Sequence, residues 1–169
     1  SAMGELEYEC FNAANGSITI QGYNVHPGYA YHKMHNAMRG ISVILPLFPK
    51  DIAPETTRGY EPYFHPYEIE GDVNQVKLKF IIRSFETAEL EQMIQKIEEG
   101  VQNLDQKDAN LTYTCEISKG YKNMRKVIEQ HPKIMEIARE AVQKAGLDVD
   151  EHPIRGGTDG AQFSYRGLP

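Results

Sequence analysis

Strict alternation of apolar and polar side chains at residues 73–85 predicts a strand with one buried and one solvated face. The apolar side carries Val76, Leu78, Phe80 and Ile82, whereas Lys77, Lys79, Ile81 and Arg83 fall on the other side. Such a strand needs a packed layer on its apolar face and paired strands at its edges. The rest of the chain must therefore supply further strands and at least one amphipathic helix.

The segments around this strand supply those elements. Residues 63–70 predict a second strand, which a turn at Gly71-Asp72 joins to the first as a hairpin. Residues 86–104 predict a helix whose apolar stripe contains Leu90, Ile94, Ile97, Val101 and Leu104. Further patterns predict a helix at 31–45 and strands at 17–21 and 111–118. This order predicts an α+β fold of the ferredoxin-like kind, with two helices on one face of a four-stranded antiparallel sheet.

The predicted sheet unit, residues 15–120, is inserted between two flanking pieces. Within 4–14, residues 4–13 predict a half-buried strand, because Leu6, Tyr8 and Cys10 alternate with Glu5, Glu7 and Glu9, and it ends near the turn signal Asn15-Gly16. Residues 121–169 predict a helix at 132–145 and a short strand at 152–155. We expect both pieces to belong to a second domain cut from a longer protein. Residues 1–3, Ser1-Ala2-Met3, resemble the remnant of a cleaved tag.

Composition excludes several classes of protein. A net charge of −6 and an isoelectric point near 5.5 give no basic surface for nucleic acid. No apolar run reaches the roughly 18 to 20 residues of a membrane helix. Cys10 and Cys115 are too few for a disulfide framework and suit a reducing compartment. We therefore expect a cytoplasmic protein with no nucleic-acid or membrane partner.

The run Arg155-Gly156-Gly157-Thr158 is the sharpest local feature. Two glycines permit close backbone approach, Thr158 can cap a following helix, and exposed N–H groups beside a guanidinium favour an anion. These properties predict a cradle for a carboxylate or a carbonyl oxygen. A tight turn with no ligand explains the same residues equally well.

Three isolated polar residues are further candidates for a site. His26 lies in a loop before Pro27 and could donate to an oxyanion, although a solitary loop histidine is more often an exposed bystander. Arg83 could hold a carboxylate with its planar fork, or could only keep the sheet face soluble. Asn123 follows the last strand of the sheet, where capping the next helix is its expected task.

Metal-binding motifs are absent from the sequence. His32 and His35 are three residues apart on the predicted first helix, yet no third ligand follows at a suitable spacing. There is also no HExxH motif, no paired Cys-x-x-Cys, no P-loop and no Gly-x-Ser-x-Gly. We therefore predict no metal ligand in this chain and no residue that could activate water or act as a nucleophile.

A series of motifs resembles, in order and spacing, the later half of the peptidase T family. The motif PIRGGTDGAQ is long and specific, whereas HPG is shared with relatives in the wider aminoacylase and carboxypeptidase G clan. The matching segments are ELEYECFNAA, NVHPGYA, HKMHNAM, ETTRGYEPYF, FIIRSFE, YKNM and PIRGGTDGAQFSYRGLP.

The resemblance implies a zinc-dependent tripeptide aminopeptidase with two domains. A catalytic domain would hold a pair of zinc ions that activate a bridging water, and a ferredoxin-like lid would form the homodimer. The zinc ligands and the general base would lie in segments outside this chain. We therefore expect residues 15–120 to be the lid and residues 4–14 and 121–169 to be parts of the catalytic domain. The isolated chain should bind no zinc and cleave no tripeptide.

The resemblance also implies roles for individual residues. His26 would polarise the scissile carbonyl, often in the neighbouring subunit, and Arg83 and Asn123 would contact substrate. The substrate pocket would be lined by Arg155, Gly156, Gly157 and Thr158. Ser84 and Tyr31 depart from the family pattern, which leaves substrate contacts open. The alternatives are a stand-alone ferredoxin-like module that binds a small molecule and a pure dimerisation domain.

Overall fold

The computed structural model describes residues 3–169, so Ser1 and Ala2 of the expected tag remnant lie outside the described residues. The strands are β1 (Glu5–Leu6), β2 (Asn12–Gln21), β3 (Tyr63–Gly71), β4 (Gln75–Ser84), β5 (Thr112–Lys119) and β6 (Asp150–Glu151). The α-helices are α1 (Ile41–Ile44), α2 (Thr87–Lys107), α3 (Arg125–Ile128), α4 (Pro132–Lys144) and α5 (Asp159–Ser164). Three short 3₁₀ turns lie at Pro27–Tyr29, Ala37–Gly40 and Leu45–Leu47.

Strands β3, β4, β2 and β5 pair in that order as one antiparallel sheet. The first and third of these strands along the chain, β2 and β4, are central, which is the ferredoxin-like order. One face of the sheet is covered by α2 and by the turn and helix at 37–44. The predicted α+β class and sheet topology are confirmed.

Burial alternates along β4 as the sequence pattern predicts, with Leu78 and Phe80 fully buried and Lys77 and Lys79 on the open face. The helix α2 covers the buried face through Leu90, Met93, Ile94, Ile97 and Val101. This main core also takes in Ile18 and Ile20 of β2, Ile44 of α1 and Tyr113 of β5. Apolar burial of this extent, at roughly 25 cal/mol per Å², is the main force that holds the sheet unit together.

The predicted strand at 4–13 is present only at Glu5–Leu6 and from Asn12 onward, and the predicted turn at Asn15-Gly16 is wrong. The strand β2 begins at Asn12 and continues through Asn15-Gly16 to Gln21. Gly16 pairs with Phe80 of β4, and a Cβ atom on Gly16 would lie 2.4 Å from the Phe80 ring. The glycine therefore makes room for an aromatic ring across the strand pair rather than forming a turn.

The predicted helix at 31–45 is also wrong in its first half. His35 pairs with Tyr23 in an extended bridge, and His32 has a left-handed backbone with φ 55°. The Asn36 side chain accepts from the N–H of Met38 and thereby begins the helical segment at Ala37. Apolar spacing alone did not reveal this cap, so the helix begins six residues later than predicted.

The flanking segments form a second, smaller assembly. The strand β1 pairs in parallel with β6, and Cys10 pairs with Ile154. The buried side chains there are Cys10, Met124 and Ala161, whereas α4 has no buried residue. Within the described part of the chain, no helix is long and apolar enough to cross a membrane.

Candidate functional site

Arg83 lies near the end of β4 on the open face of the sheet. Its Nη1 donates to the carbonyls of Ala14 and Ile82, each at 2.9 Å, and lies 3.4 Å from Asn15 Oδ1. The guanidinium also stands 5.5 Å from the centre of the Tyr121 ring. Burial raises the pKa of the Tyr121 hydroxyl, and the charge of Arg83 opposes that rise. Arg83 is therefore held in place by the backbone, with its Nη2 edge toward Asn15.

Arg155 connects the glycine-rich loop to the sheet unit. Its guanidinium donates to the 57–61 loop, reaching Gly59 O at 2.7 Å, Glu61 O at 2.9 Å and Thr57 Oγ1 at 2.9 Å. It also stands 5.1 Å from the ring centre of Phe11 and 5.5 Å from that of Tyr63. Both terminal nitrogens of Arg155 are thus engaged within the protein, which makes it part of the wall between the sheet unit and the flanking segments.

The glycines after Arg155 have different surroundings. A Cβ atom on Gly157 would lie 2.5 Å from the Tyr121 ring, so only glycine permits this approach. The same atom on Gly156 would meet nothing closer than 3.9 Å. Thr158 caps α5, because its Oγ1 accepts from the N–H of Ala161 at 3.3 Å. Gly157 therefore connects the loop, through Tyr121, to Arg83.

Asn123 is 9% exposed and lies where the chain leaves β5 for α3. Its Nδ2 donates to Glu9 Oε1 and Phe85 O, each at 3.1 Å, and its Oδ1 accepts from the N–H groups of Cys10 and Arg125. Its backbone N–H donates to Asn12 Oδ1 at 2.9 Å, and its carbonyl accepts from the Tyr165 hydroxyl at 2.8 Å. Asn123 thus fixes several segments at one point in addition to starting α3.

Sequence reasoning missed Glu9. The alternation of Glu5, Glu7 and Glu9 predicted a solvated strand face, yet Glu9 is only 1% exposed. Its Oε1 accepts from Asn123 and lies 3.4 Å from Arg125 Nη1. Its Oε2 accepts from the Tyr60 hydroxyl at 3.2 Å, and no local sequence signal marks it as buried. A buried carboxylate with three donors is compensated rather than free to act as a base.

We call Glu9, Arg83, Asn123, Arg155 and Gly157 the junction cluster. They lie where the sheet unit meets the flanking segments, since Ala13 N donates to Tyr121 O at 2.9 Å beside them. A cavity of about 210 Å³ opens here, lined in part by Glu9, Asn123, Arg125 and Tyr165. Arg83, Arg155 and the glycine-rich loop do not line that cavity. Contacts through Tyr121 connect Arg83 with Gly157, and a hydrogen bond connects Asn123 with Glu9, whereas His26 lies apart from both groups.

His26 lies beyond the opposite end of β2, in an exposed loop. The ten-residue strand places it roughly 30 Å from the junction cluster at about 3.3 Å per residue. Its Nδ1 accepts from the N–H of Gly28 at 3.1 Å, which caps the turn at Pro27–Tyr29. A neutral imidazole with this bond carries its proton on Nε2. His26 can therefore donate a hydrogen bond from Nε2, but not to a ligand at its own chain's junction cluster.

His32 and His35 line a cavity of about 440 Å³ with Arg39 and Asp108. The Asp108 carboxylate is already used, because it accepts from the N–H groups of Asn110 and Leu111 and from the Tyr113 hydroxyl. Among the described residues, the histidine and carboxylate group with metal-binding spacing lies elsewhere, at Glu5, Asp150 and His152. Sequence reasoning missed that group too, since its members are far apart in the chain.

Comparisons with known proteins place these features in a family. The sequence profile of the peptidase dimerisation domain matches residues 8–109. Peptidase T of Geobacillus kaustophilus is 46% identical over 167 residues, and that of Bacillus subtilis is 42% identical over the same length. Each alignment covers 99% of this chain but 41% of the relative, so the chain spans about two fifths of the length of these curated relatives.

Solved structures show the same fold. An aminopeptidase of Bacillus cereus superposes with a TM-score of 0.79 at 19% identity, covering 100% of this chain and 45% of that one. A tripeptidase of Staphylococcus aureus gives 0.76 at 16% identity, covering 100% and 44%. The resemblance to peptidase T noted in the sequence is confirmed, and the chain belongs to the peptidase dimerisation domain family.

Proposed function

We propose that this chain is the dimerising and substrate-binding part of a zinc-dependent tripeptide aminopeptidase of the cytoplasm. The observation that carries the proposal is 46% identity to a peptidase T over 99% of the chain. In this proposal residues 15–120 are the lid, and residues 4–14 and 121–169 belong to the catalytic domain. Both cysteines are free thiols, which agrees with a reducing compartment.

The junction cluster suits the binding of a peptide but does not fit a zinc pair. Glu9 is its carboxylate, and both Glu9 oxygens already accept hydrogen bonds. We therefore propose that any catalytic zinc is held by segments outside this chain, as the resemblance implies. Arg83 would bind the C-terminal carboxylate of a tripeptide through its Nη2 edge. Asn123, Arg155, Gly156, Gly157 and Thr158 would shape the pocket wall.

His26 would stabilise the oxyanion that forms when water attacks the first peptide bond. Its Nδ1 is occupied by the N–H of Gly28, so its Nε2–H is the group that faces outward. Because His26 lies at the opposite end of β2 from the junction cluster, it would serve the site of a second copy of the chain. A two-fold homodimer can bring opposite ends of two identical chains together.

An apolar surface on α1 and β3 is suited to form that homodimer. Val43 and Leu45 are each 41% exposed, and Ile69 on the sheet edge is 52% exposed. Leu45 and Pro66 line one cavity of about 270 Å³, which shows that the helical segment and the edge strand lie side by side. Exposed apolar side chains on neighbouring elements are typical of a protein interface.

Subunit complementation in the full-length enzyme tests this proposal. His26→Ala should lower kcat for a free tripeptide by about 10²-fold or more, because an oxyanion donor is lost. Arg83→Met should also be inactive. Co-expressed in equal amounts, the two variants should recover about one quarter of wild-type activity, since half the dimers are mixed and each mixed dimer has one intact site.

The controls separate dimerisation from catalysis. Leu45→Glu in both variants should give monomers in sedimentation analysis and abolish complementation. Lys96→Glu, at an exposed site on α2, should change neither. No recovery in mixed dimers would mean that His26 does not act across the interface. Absence of tripeptide cleavage by the wild-type enzyme would favour a small-molecule-binding module instead.

A further inference from the structure

Three potential metal ligands converge on one face of the small parallel sheet. Glu5 of β1 is opposite Asp150 of β6 in the pairing register, and His152 follows Asp150 by two residues. Side chains of opposed residues, and of residues two apart, lie on the same side of a sheet. Glu151 lies on the other side, where it pairs with Arg139 of α4. Strand geometry therefore brings together two carboxylates and one imidazole from distant parts of the chain.

The spacing within this group suits a shared ion better than direct hydrogen bonds. His152 Nδ1 lies 3.7 Å from Asp150 Oδ1, and His152 Nε2 lies 3.9 Å from Glu5 Oε1. Both distances exceed the normal hydrogen-bond range of about 2.7–3.2 Å. One ligand atom from each of the three residues lies within 4.8 Å of the other two. An ion held at about 2.0–2.2 Å by each ligand requires ligand atoms within roughly 4 Å of one another, so binding would draw the three side chains slightly closer together.

An independent observation also points to a ligand at this position. The His152 side chain is 36% exposed, but its Nδ1 atom is buried and has no hydrogen-bond partner among the described residues. A buried ring nitrogen left without a partner is unfavourable, by about 1–3 kcal/mol. Coordination of a cation by Nδ1 supplies the missing partner.

We propose that Glu5, Asp150 and His152 bind a divalent transition-metal ion, with Zn²⁺ preferred and Mn²⁺ weaker. A neutral imidazole with two carboxylates carries the charge that balances a divalent ion, and nitrogen with oxygen donors suits Zn²⁺. The Asp150 side chain is 71% exposed, so an ion can enter from solvent. This proposal replaces the expectation that the isolated chain binds no zinc. It rests on the chain's own residues and does not depend on the peptidase proposal.

Calorimetric titration of this chain with Zn²⁺ tests the site. A Cys115→Ser background removes the half-buried thiol that could compete for the ion. We expect one ion per chain, with affinity lowered at least about tenfold by His152→Gln and by Asp150→Asn, because each removes a ligand. His131→Gln, which removes an exposed histidine in the same flanking segment, should leave the affinity unchanged.

Amide NMR spectra with Mn²⁺ provide the second measurement. Line broadening should centre on residues 4–6 and 150–154, and Asp150→Asn should abolish it. Asp150→Asn tests the site even if His152→Gln fails to fold, because a largely exposed side chain can be changed without unfolding the protein. Absence of Zn²⁺ binding, or binding that neither ligand variant weakens, would overturn the proposal and leave the three residues as a loose ion pair.

Discussion

The two helices α2 and α4 are both amphipathic, yet only one of them buries its apolar stripe. The helix α2 has five buried side chains against the four-stranded sheet, whereas α4 has none and leaves Ile137 66% exposed. The sheet beneath α2 is four strands wide, while the sheet of the flanking segments consists of β1 and β6, two residues each. An amphipathic pattern therefore shows which face of a helix needs a partner, not that the partner is present.

The same contrast applies to the forces that hold each region. The sheet unit depends on a continuous apolar core, which excludes water from most of β4 and from one side of α2. The flanking segments have Cys10, Met124 and Ala161 as a small core and depend more on the hydrogen bonds of Glu9 and Asn123. Polar networks of this kind fix geometry but contribute modest net stability. We therefore expect the sheet unit to be the more stable region.

Matched substitutions in the two helices should give the largest difference. Ile97→Ala in α2 removes a fully buried side chain and should lower the free energy of unfolding by about 2–5 kcal/mol. Ile137→Ala in α4 should change it by no more than about 0.5 kcal/mol, since that side chain is mostly exposed. Urea unfolding followed by circular dichroism measures both. Equal effects would show that Ile137 is buried in solution, and the comparison would fail.

A change in the junction cluster should have a smaller effect that is confined to the flanking segments. Glu9→Gln replaces a carboxylate that accepts from Asn123 and Tyr60 with an amide that must turn its NH₂ group toward one of them. We expect a loss of about 1–3 kcal/mol. Hydrogen exchange should show faster exchange at residues 121–165 and unchanged protection in β4. Glu140→Gln, at an exposed carboxylate on α4, is the control and should alter neither region.

Much of the fold could be predicted because the sheet unit obeys local rules. The alternation in β4 and the stripe of α2 specify which faces are buried, and their order specifies the topology. The errors fell where tertiary contacts override local signals. Gly16 continues β2 because the Phe80 ring occupies the space of its missing side chain. Before the Asn36 cap, His32 has a left-handed backbone and His35 pairs with Tyr23.

The candidate site was less accessible to sequence reasoning. The resemblance supplied His26, Arg83, Asn123 and the glycine-rich loop, but it did not show that His26 lies far from the others in one chain. Glu9 was missed because its burial depends on Asn123 and Tyr60, which are distant in sequence. The group of Glu5, Asp150 and His152 was missed for the same reason, since only the parallel pairing of β1 with β6 unites it.

The two cysteines report on the two regions separately. Burial raises the pKa of the Cys10 thiol in the flanking segments. Burial, with the charges of Glu98 and Glu116, raises the pKa of Cys115 in β5 to about 11. Both thiols are therefore protonated at pH 8. An aromatic disulfide reagent labels a cysteine only through its thiolate, so both cysteines should be labelled slowly at that pH. In Cys10→Ser, labelling of the half-buried Cys115 should accelerate about tenfold per pH unit toward pH 10.

The labelling rate measured at increasing urea concentrations then distinguishes local opening of the flanking segments from unfolding of the whole chain. In Cys115→Ser, labelling of Cys10 requires an opening that exposes a fully buried side chain. If the flanking segments are the less stable region, this labelling should accelerate at urea concentrations that leave the far-UV spectrum of the sheet unit unchanged. Acceleration only across the unfolding transition of the sheet would mean that both regions unfold as one cooperative unit. In that case the hydrogen bonds of the junction cluster would couple the regions more strongly than their separate cores indicate.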